Sequence, residues 1–143
     1  MQRFFISRTP AVALASLFSL TAVAVAQGTE KCSNATLRGS YGLHATGSVT
    51  GVGDFAAVGR FTFDGKGNLT AKLFVTVNGN SSESPELSGT YSVSPECIVR
   101  DSWAGNTHVS VIVDGGKGYF LVNTSDERST LSGEARKQFS EDD

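Results

Sequence analysis

The sequence predicts an all-β domain, an eight-stranded antiparallel meander that closes into a barrel and contains little helix. Three observations predict it. Apolar and polar residues alternate with a period of two, clusters of glycine and asparagine separate the alternating stretches, and no stretch after the first 26 residues keeps a 3.6-residue period. The sixteen glycines and three prolines fit this class, because glycine permits tight turns and sharp strand bends.

Each alternating stretch predicts one strand. The first places Leu37, Tyr41, Leu43, Ala45 and Val49 on one face and mostly polar residues on the other. Turn residues follow at 64–68, 78–80 and 114–118, where Gly and Asn tolerate the positive φ angles of hairpins. The predicted strands cover residues 37–49, 55–63, 69–77, 86–93, 97–103, 108–114, 119–125 and 129–137.

A repeated Leu-x-Gly pattern favours a closed barrel over an open sandwich. It occurs at 37–39, 87–89 and 131–133, and in each copy the leucine and the glycine share one strand face. A glycine on an inner face lets a strand coil sharply and lets its neighbour approach closely. Eight strands enclose an interior that side chains can fill or that can hold a small ligand, and the sequence leaves both open.

Two resemblances accompany these motifs. Leu37-Arg38-Gly39-Ser40-Tyr41 and Gly67-Asn68-Leu69-Thr70, in an eight-stranded meander, resemble the calycin-like barrels of the avidin and lipocalin type and the allene-oxide-cyclase-type barrels. Residues 32–42 and 56–68 are similar to small exported bacterial proteins without an assigned activity. The first resemblance implies architecture only. Avidin-like barrels use several tryptophans to bind biotin, whereas this chain has Trp103 alone, so no binding residue is carried over.

Residues 1–26 have the pattern of a secretory signal peptide. Arg3 and Arg8 precede an apolar run at 11–24, and Ala24-Val25-Ala26 supplies the small residues of a cleavage site. The run is shorter than the roughly 20 residues of a membrane-spanning helix, which disfavours the alternative of an anchor. We therefore expect a secreted or periplasmic domain of residues 27–143. Ten of the twelve basic residues remain in it against fourteen acidic ones, a net charge of −4 that disfavours nucleic acid as a partner.

The two cysteines predict one structural disulfide. Cys32 and Cys97 are the only two cysteines in the sequence, and the chain is expected to be exported. A bridge between them would close a loop of 66 residues. Free thiols, redox chemistry and metal binding are the alternatives. Neither cysteine lies in a Cys-x-x-Cys pair or near a histidine in sequence, which favours the bridge.

No catalytic, metal-binding or cofactor motif is present, and we predict no cofactor. His44 and His108 are predicted on the polar, solvated faces of their strands. Arg100 and Asp101 beside Trp103 are the densest mixture of charge and aromatic surface in the sequence, and a surface ion pair explains this cluster equally well. The segment 64–68 is interpreted as a hairpin turn, because Lys66 would occupy a ligand position of a calcium loop.

These observations favour a non-enzymatic barrel that binds an apolar or amphipathic small molecule or a surface partner. Its expected lining is the aromatic set Tyr41, Phe61, Phe63, Tyr91, Trp103 and Phe120. One alternative is a barrel enzyme of the cyclase or isomerase type, which can work with few titratable groups. Another is a structural or interaction protein with a filled core. Polar outer positions in most strands disfavour a membrane-embedded barrel.

Apolar residues on the expected outer face predict self-association. They are Phe74, Ile98, Ile112, and either Tyr119 with Leu121 or Phe120 with Val122. A soluble monomer rarely exposes a large contiguous apolar patch. We therefore expect a dimer or trimer formed through the outer faces of residues 97–125, unless a loop or the segment around Phe139 covers the same surface.

Overall fold

The computed structural model describes residues 31–125 and 127–139, so the predicted signal peptide lies outside the described residues. The described chain forms a closed, eight-stranded antiparallel barrel, as the sequence predicts, with one additional short strand. The strands are β1 (Arg38–Val49), β2 (Gly53–Asp64), β3 (Asn68–Val77), β4 (Asn80–Glu83), β5 (Leu87–Val93), β6 (Ile98–Trp103), β7 (Asn106–Val113), β8 (Gly118–Asn123) and β9 (Ser129–Lys137).

The barrel is a meander whose last strand returns to the first. Going around it, the order is β1, β2, β3, β5, β6, β7, β8 and β9, and β9 pairs with β1 from Tyr41↔Lys137 to Val49↔Ser129. All eight predicted strands are present, and each predicted end lies within two residues of the observed one.

The ninth strand, β4, is a hairpin arm outside the ring. It follows the two-residue turn Asn78-Gly79, whose φ angles of 48° and 80° suit a type I′ hairpin. It pairs with the second half of β3, while β5 pairs with the first half. All four of its residues are polar and exposed, so it has no apolar alternation by which the sequence could reveal it.

One end of the barrel is filled by aromatic rings. Phe63 lies at the centre of this group and meets three tyrosines nearly edge-on: Tyr91 at 5.0 Å between ring centroids, Tyr41 at 5.5 Å and Tyr119 at 5.8 Å. All four side chains are buried. Edge-to-face rings at these distances attract one another beyond their burial of apolar area, so this end is a packed core.

Residues 31–37 cover the filled end. The predicted disulfide is confirmed: Cys32 is bonded to Cys97, with 5.0 Å between their Cα atoms. The Tyr91 hydroxyl lies 2.9 Å from the Leu37 carbonyl oxygen, and the Asn34 side-chain oxygen accepts a hydrogen bond from the Val93 backbone at 2.8 Å. A disulfide indicates a non-reducing, extracytoplasmic compartment.

The Leu-x-Gly glycines lie where strands crowd the interior. At Gly133 an added Cβ atom would lie 2.5 Å from the His44 carbonyl oxygen and 2.8 Å from the Ala45 Cβ atom. At Gly89 it would lie 2.8 Å from the Trp103 Cβ atom. Both positions belong to the inner face, because each pairs with a buried residue of the neighbouring strand. The inner-face interpretation of the repeat is therefore confirmed.

The faces of β7 and β8 require corrections. His108 and Ile112 point into the barrel and are buried, so the predictions of a solvated His108 and an outward Ile112 are wrong. Phe120 is 51% exposed, so the prediction that it lines the interior is wrong; Tyr119 and Leu121 point inward instead. Tyr119 packs among the aromatic rings at the filled end. The face with Tyr119 and Leu121 is therefore the inner face of β8, and the face with Phe120 and Val122 is the outer one.

Of the predicted outer residues, Phe74, Phe120 and Val122 are about half exposed, and so are Val58 and Val111, which were not predicted there. Ile98 shares the outer face, since it is the register partner of Val111. Phe139 is 68% exposed and therefore does not cover this surface.

Candidate functional site: a half-open cavity in the barrel

The end of the barrel opposite the disulfide is hollow. A cavity of about 270 Å³ lies there, between the ends of β1, β2, β3, β6, β7, β8 and β9. The side chains that surround it are mostly aliphatic or aromatic, with a few polar groups: Leu43, Ala45, Val49, Phe55, Ala57, Leu73, Val75, Val77, Trp103, Asn106, His108, Asn123, Ser129 and Leu131. The barrel is thus filled at one end and open at the other.

A buried acid–imidazole pair lies beside this cavity. Asp101 and His108 are register partners on β6 and β7, and Asp101 Oδ1 lies 2.9 Å from His108 Nδ1. Both residues are buried. Of the two explanations for the Arg100–Asp101 cluster, the surface ion pair is excluded, because Asp101 points inward while Arg100 is exposed on the outer face. A carboxylate only accepts hydrogen bonds, so the Nδ1 atom carries the proton in this contact.

The other ring nitrogen of the buried His108 is Nε2. Nε2 has no hydrogen-bond partner among the described residues. In the same part of the chain, Ser110 Oγ alone is a fully enclosed side-chain polar atom without a partner. Nε2 therefore keeps accessible surface, and since His108 lines the cavity, that surface belongs to the cavity. A neutral imidazole with a proton on Nδ1 presents a lone pair at Nε2.

Trp103 holds the imidazole from one side. The Trp103 and His108 rings are stacked, and Phe61 meets Trp103 nearly edge-on at 5.1 Å between centroids. The imidazole plane is thus fixed by the indole on its face and by Asp101 at its edge. Such support from packing and hydrogen bonding holds a functional side chain in one orientation.

Asn123 extends the polar row on the other side of His108. It is the register partner of His108 on β8, so Asp101, His108 and Asn123 form one row across three adjacent strands. Its side-chain oxygen accepts hydrogen bonds from the Ser125 backbone N–H at 2.9 Å and the Ser125 hydroxyl at 3.2 Å. The Asn123 Nδ2 group has no partner among residues 31–125 and 127–139, and it remains a donor at the cavity.

The six predicted lining residues lie in three places. Trp103 lines the cavity. Phe120 lies on the outer face, and four are buried in the packed interior: Tyr41, Phe61, Phe63 and Tyr91.

The sequence did not predict Asp101, His108 and Asn123 as residues of the site. A signal for the first two exists in the turn Ala104-Gly105. If that turn is a two-residue hairpin, it pairs residues 103 and 106 and therefore 101 and 108. The predicted strands 97–103 and 108–114 place residues 104–107 in a longer loop, which does not give this register.

A second concave surface lies outside the barrel. It is a groove of about 500 Å³ over β2, β3 and β4, with half-exposed Val58 and Phe74 in its floor. Glu83 at its edge is paired with Lys72 at 2.5 Å. The groove has more volume than the cavity, but the cavity is lined by the buried His108, which is paired with Asp101, whereas the groove is lined by none of the buried polar residues among those described. We therefore place the candidate site inside the barrel.

Two further searches of the described ranges found nothing. No group of three or more His, Cys, Asp or Glu side chains is placed to hold a metal ion among these residues. No helix within the same ranges has the length and apolar character needed to cross a membrane.

Comparisons with known proteins do not assign a function to this chain. No family model matches the sequence, and no curated protein matches it. Among solved structures, a de novo designed fluorescence-activating β-barrel aligns with 72% of this chain and 94% of its own, at 13% sequence identity and a TM-score of 0.45.

Proposed function

We propose that this protein is a non-enzymatic binding barrel for a small, largely apolar molecule that enters through the open end. The observation that carries the proposal is the cavity of about 270 Å³, with apolar walls and, on one side, the buried His108 beside the partly exposed Asn123. A dry cavity of about 150 Å³ accepts benzene. The space here therefore suits a molecule of one or two rings.

Two polar groups at the cavity lack hydrogen-bond partners among the described residues, and this favours binding over a purely structural role. A structural barrel of this size can fill its interior with side chains, as the aromatic end of this one does. At the open end, His108 Nε2 and Asn123 Nδ2 keep unused hydrogen-bonding capacity beside apolar walls. Few polar groups in an apolar pocket are typical of small-molecule sites, where they orient the ligand.

The emission of Trp103 tests the proposal directly, because the chain contains one tryptophan and it lines the cavity. We expect naphthalene to change that emission in a saturable way. Ala57→Leu, which fills the cavity, should abolish the change. Ala56→Leu, at the adjacent outward position, should leave it intact. An emission that naphthalene does not alter in the wild type would refute the binding role.

A second candidate function is a barrel enzyme of the isomerase or cyclase type. The arrangement of His108 favours it, since an imidazole oriented by a carboxylate at Nδ1, with a free Nε2, is the usual form of a general base. In that case Nε2 would remove a proton from a carbon next to a carbonyl group. We expect such an enzyme to accelerate deuterium exchange into 2-indanone in D₂O, as followed by NMR, and His108→Gln to lose the acceleration. Exchange at the buffer rate favours the binding protein.

We also infer that residues 1–26 are removed on export and that the mature protein is secreted or periplasmic. The disulfide supports a non-reducing compartment. Mass spectrometry of the exported protein should give an N-terminus at Gln27. A mature protein that still begins with Met1 would contradict the inference.

A further inference from the structure

We infer that the ligand class is an aromatic molecule with one hydroxyl group, a phenol or naphthol, whose oxygen is held between His108 and Asn123. The inference rests on the proposed binding function and makes it specific. It begins with the position of one proton. Asp101 Oδ1 lies 2.9 Å from His108 Nδ1, and a carboxylate cannot donate, so this nitrogen is the protonated one.

Two side-chain nitrogen atoms with complementary hydrogen-bonding roles remain available to a ligand. In the neutral form of His108, Nε2 is then an acceptor, and Asn123 Nδ2 is a donor because its amide oxygen accepts from the Ser125 N–H. Directly opposed residues on antiparallel strands have Cβ atoms about 4.5–5.5 Å apart. His108 and Asn123 are such a pair, so one ligand atom can meet both side chains.

A hydroxyl group matches this pair better than other common groups. Its O–H donates to Nε2 while its lone pair accepts from Nδ2. An ether or a ketone accepts only, and a carboxylate brings an uncompensated charge into an apolar cavity. A hydrocarbon leaves both protein groups without a partner, so it binds through its apolar contacts alone and more weakly than the hydroxyl analogue.

The walls indicate a flat, aromatic body for the ligand. Phe55 and Trp103 line the cavity with ring surface, and small aliphatic side chains such as Ala45 and Ala57 leave room beside them. Aromatic rings pack favourably against one another in offset or edge-on arrangements. The volume limits the body to one or two rings.

Three probes of one ring system test the inference through Trp103 emission: naphthalene, 2-methoxynaphthalene and 2-naphthol. We expect 2-naphthol to bind about tenfold more tightly than naphthalene, the gain of one or two net hydrogen bonds. The methoxy compound, which can accept from Asn123 Nδ2 but cannot donate to Nε2, should bind more weakly than 2-naphthol.

Two variants assign any preference to the two side chains. Asp101→Leu/His108→Phe removes the polar pair together, so that no buried group is left unpaired, and should bind all three probes alike. Asn123→Leu lies at the partly exposed rim, where folding is least at risk, and should lose a large part of the preference. Asn80→Leu is the matched control, because Asn80 is exposed on β4, outside the ring of the barrel and away from the cavity.

The outcomes separate this inference from the function on which it rests. Equal affinity for naphthalene and 2-naphthol overturns the hydroxyl inference and leaves the apolar binding role standing. A preference that survives in both variants also overturns it, since another group must then bind the hydroxyl. Binding of none of the probes overturns both proposals.

Discussion

Trp103 and His108 lie face to face on the inner surface of the barrel, with 4.2 Å between ring centroids and 12° between planes. They belong to adjacent strands joined by a tight turn, and the buried Asp101 completes the group. The imidazole is therefore fixed by two neighbours that themselves are packed in the interior. This rigid group is the feature on which the ligand proposals depend.

Removing His108 alone should destabilise the protein strongly. His108→Ala leaves the Asp101 carboxyl buried without its partner, which typically costs about 3–5 kcal/mol. Urea unfolding should show this loss. The double variant Asp101→Leu/His108→Phe should recover most of it, because apolar residues can replace a buried pair at little cost. His44→Ala, on the outer face, is the control and should stay within about 0.5 kcal/mol. Equal losses in His108→Ala and in the double variant would contradict the pairing.

Loss of the disulfide should lower stability by about 4 kcal/mol. The bridge closes 66 residues, and the chain-entropy model gives a loop of this size roughly that value. Cys32→Ser/Cys97→Ser and the reduced wild type should shift to lower urea midpoints by similar amounts. A reduced protein that unfolds at the midpoint of the oxidised form would contradict the predicted contribution of the bridge to stability.

Asp64 should make stability depend on acid pH. Its Oδ1 atom accepts hydrogen bonds from the backbone N–H groups of Lys66, Gly67 and Asn68, and its Oδ2 from the Asn68 side chain. The Asn68 side chain, followed by these backbone groups, lowers the pKa of Asp64 from 3.8 to about 2. A folded-state pKa below the unfolded one stabilises the protein above pH 3.8, and this contribution disappears as the pH falls through about 2.

The measurement is the melting temperature of the wild type and Asp64→Ala between pH 7 and pH 2. At pH 7 the variant should melt a few degrees lower. The gap should narrow as the pH falls below 3.8. A gap of constant size across this window would mean that the carboxylate charge does not contribute.

Glycine at 133 should be required for close strand approach. Gly133→Ala places a Cβ atom 2.5 Å from the His44 carbonyl oxygen, and overpacking of this kind costs about 1–3 kcal/mol. Gly42→Ala is the matched control, since its nearest neighbour would be the Gln138 side chain at 3.8 Å. Chemical denaturation of both variants checks the prediction. Two equal effects would show that strand propensity, rather than crowding, dominates.

Self-association through the outer faces of residues 97–125 stays a prediction, now with defined residues. Ile98, Val111 and Phe120 are successive register partners on β6, β7 and β8, so they form one apolar row. We expect the wild type to sediment as a dimer or trimer and Phe120→Lys as a monomer. Phe74→Lys, at an equally exposed site on β3, is the control and should not dissociate the assembly. A wild-type monomer at tens of micromolar would end the idea.

The strand order and most strand ends could be predicted because each hairpin repeats the same local signals. Period-two alternation marks β1, β2 and β3, and Gly or Asn marks the turns between them. The inner-face glycines at 89 and 133 supported closure of the barrel. These features depend on neighbours in sequence, so a single chain displays them.

The inward-facing residues of β7 could not be predicted from the alternation of apolar and polar residues, because polar residues occupy two of the buried positions there. The three valines Val109, Val111 and Val113 suggest an inner face, yet His108 and Ser110 occupy it. Asp101 from the next strand makes the burial of His108 favourable, since a buried polar group needs a partner. That partner is visible only when the hairpin register is known. The polar row at the site was missed for this reason.

The seam between β1 and β9 has a consequence for the order of folding. Tyr41 and Lys137 are register partners although almost the whole domain separates them in sequence. Closing so long a loop has the largest entropic cost of any strand pairing in this barrel. Cys32 and Cys97, by contrast, lie on segments that are complete before β7, β8 and β9 have been made. Formation of this disulfide can therefore stabilise a partly formed sheet, and the strands synthesised last, β7, β8 and β9, then close the barrel.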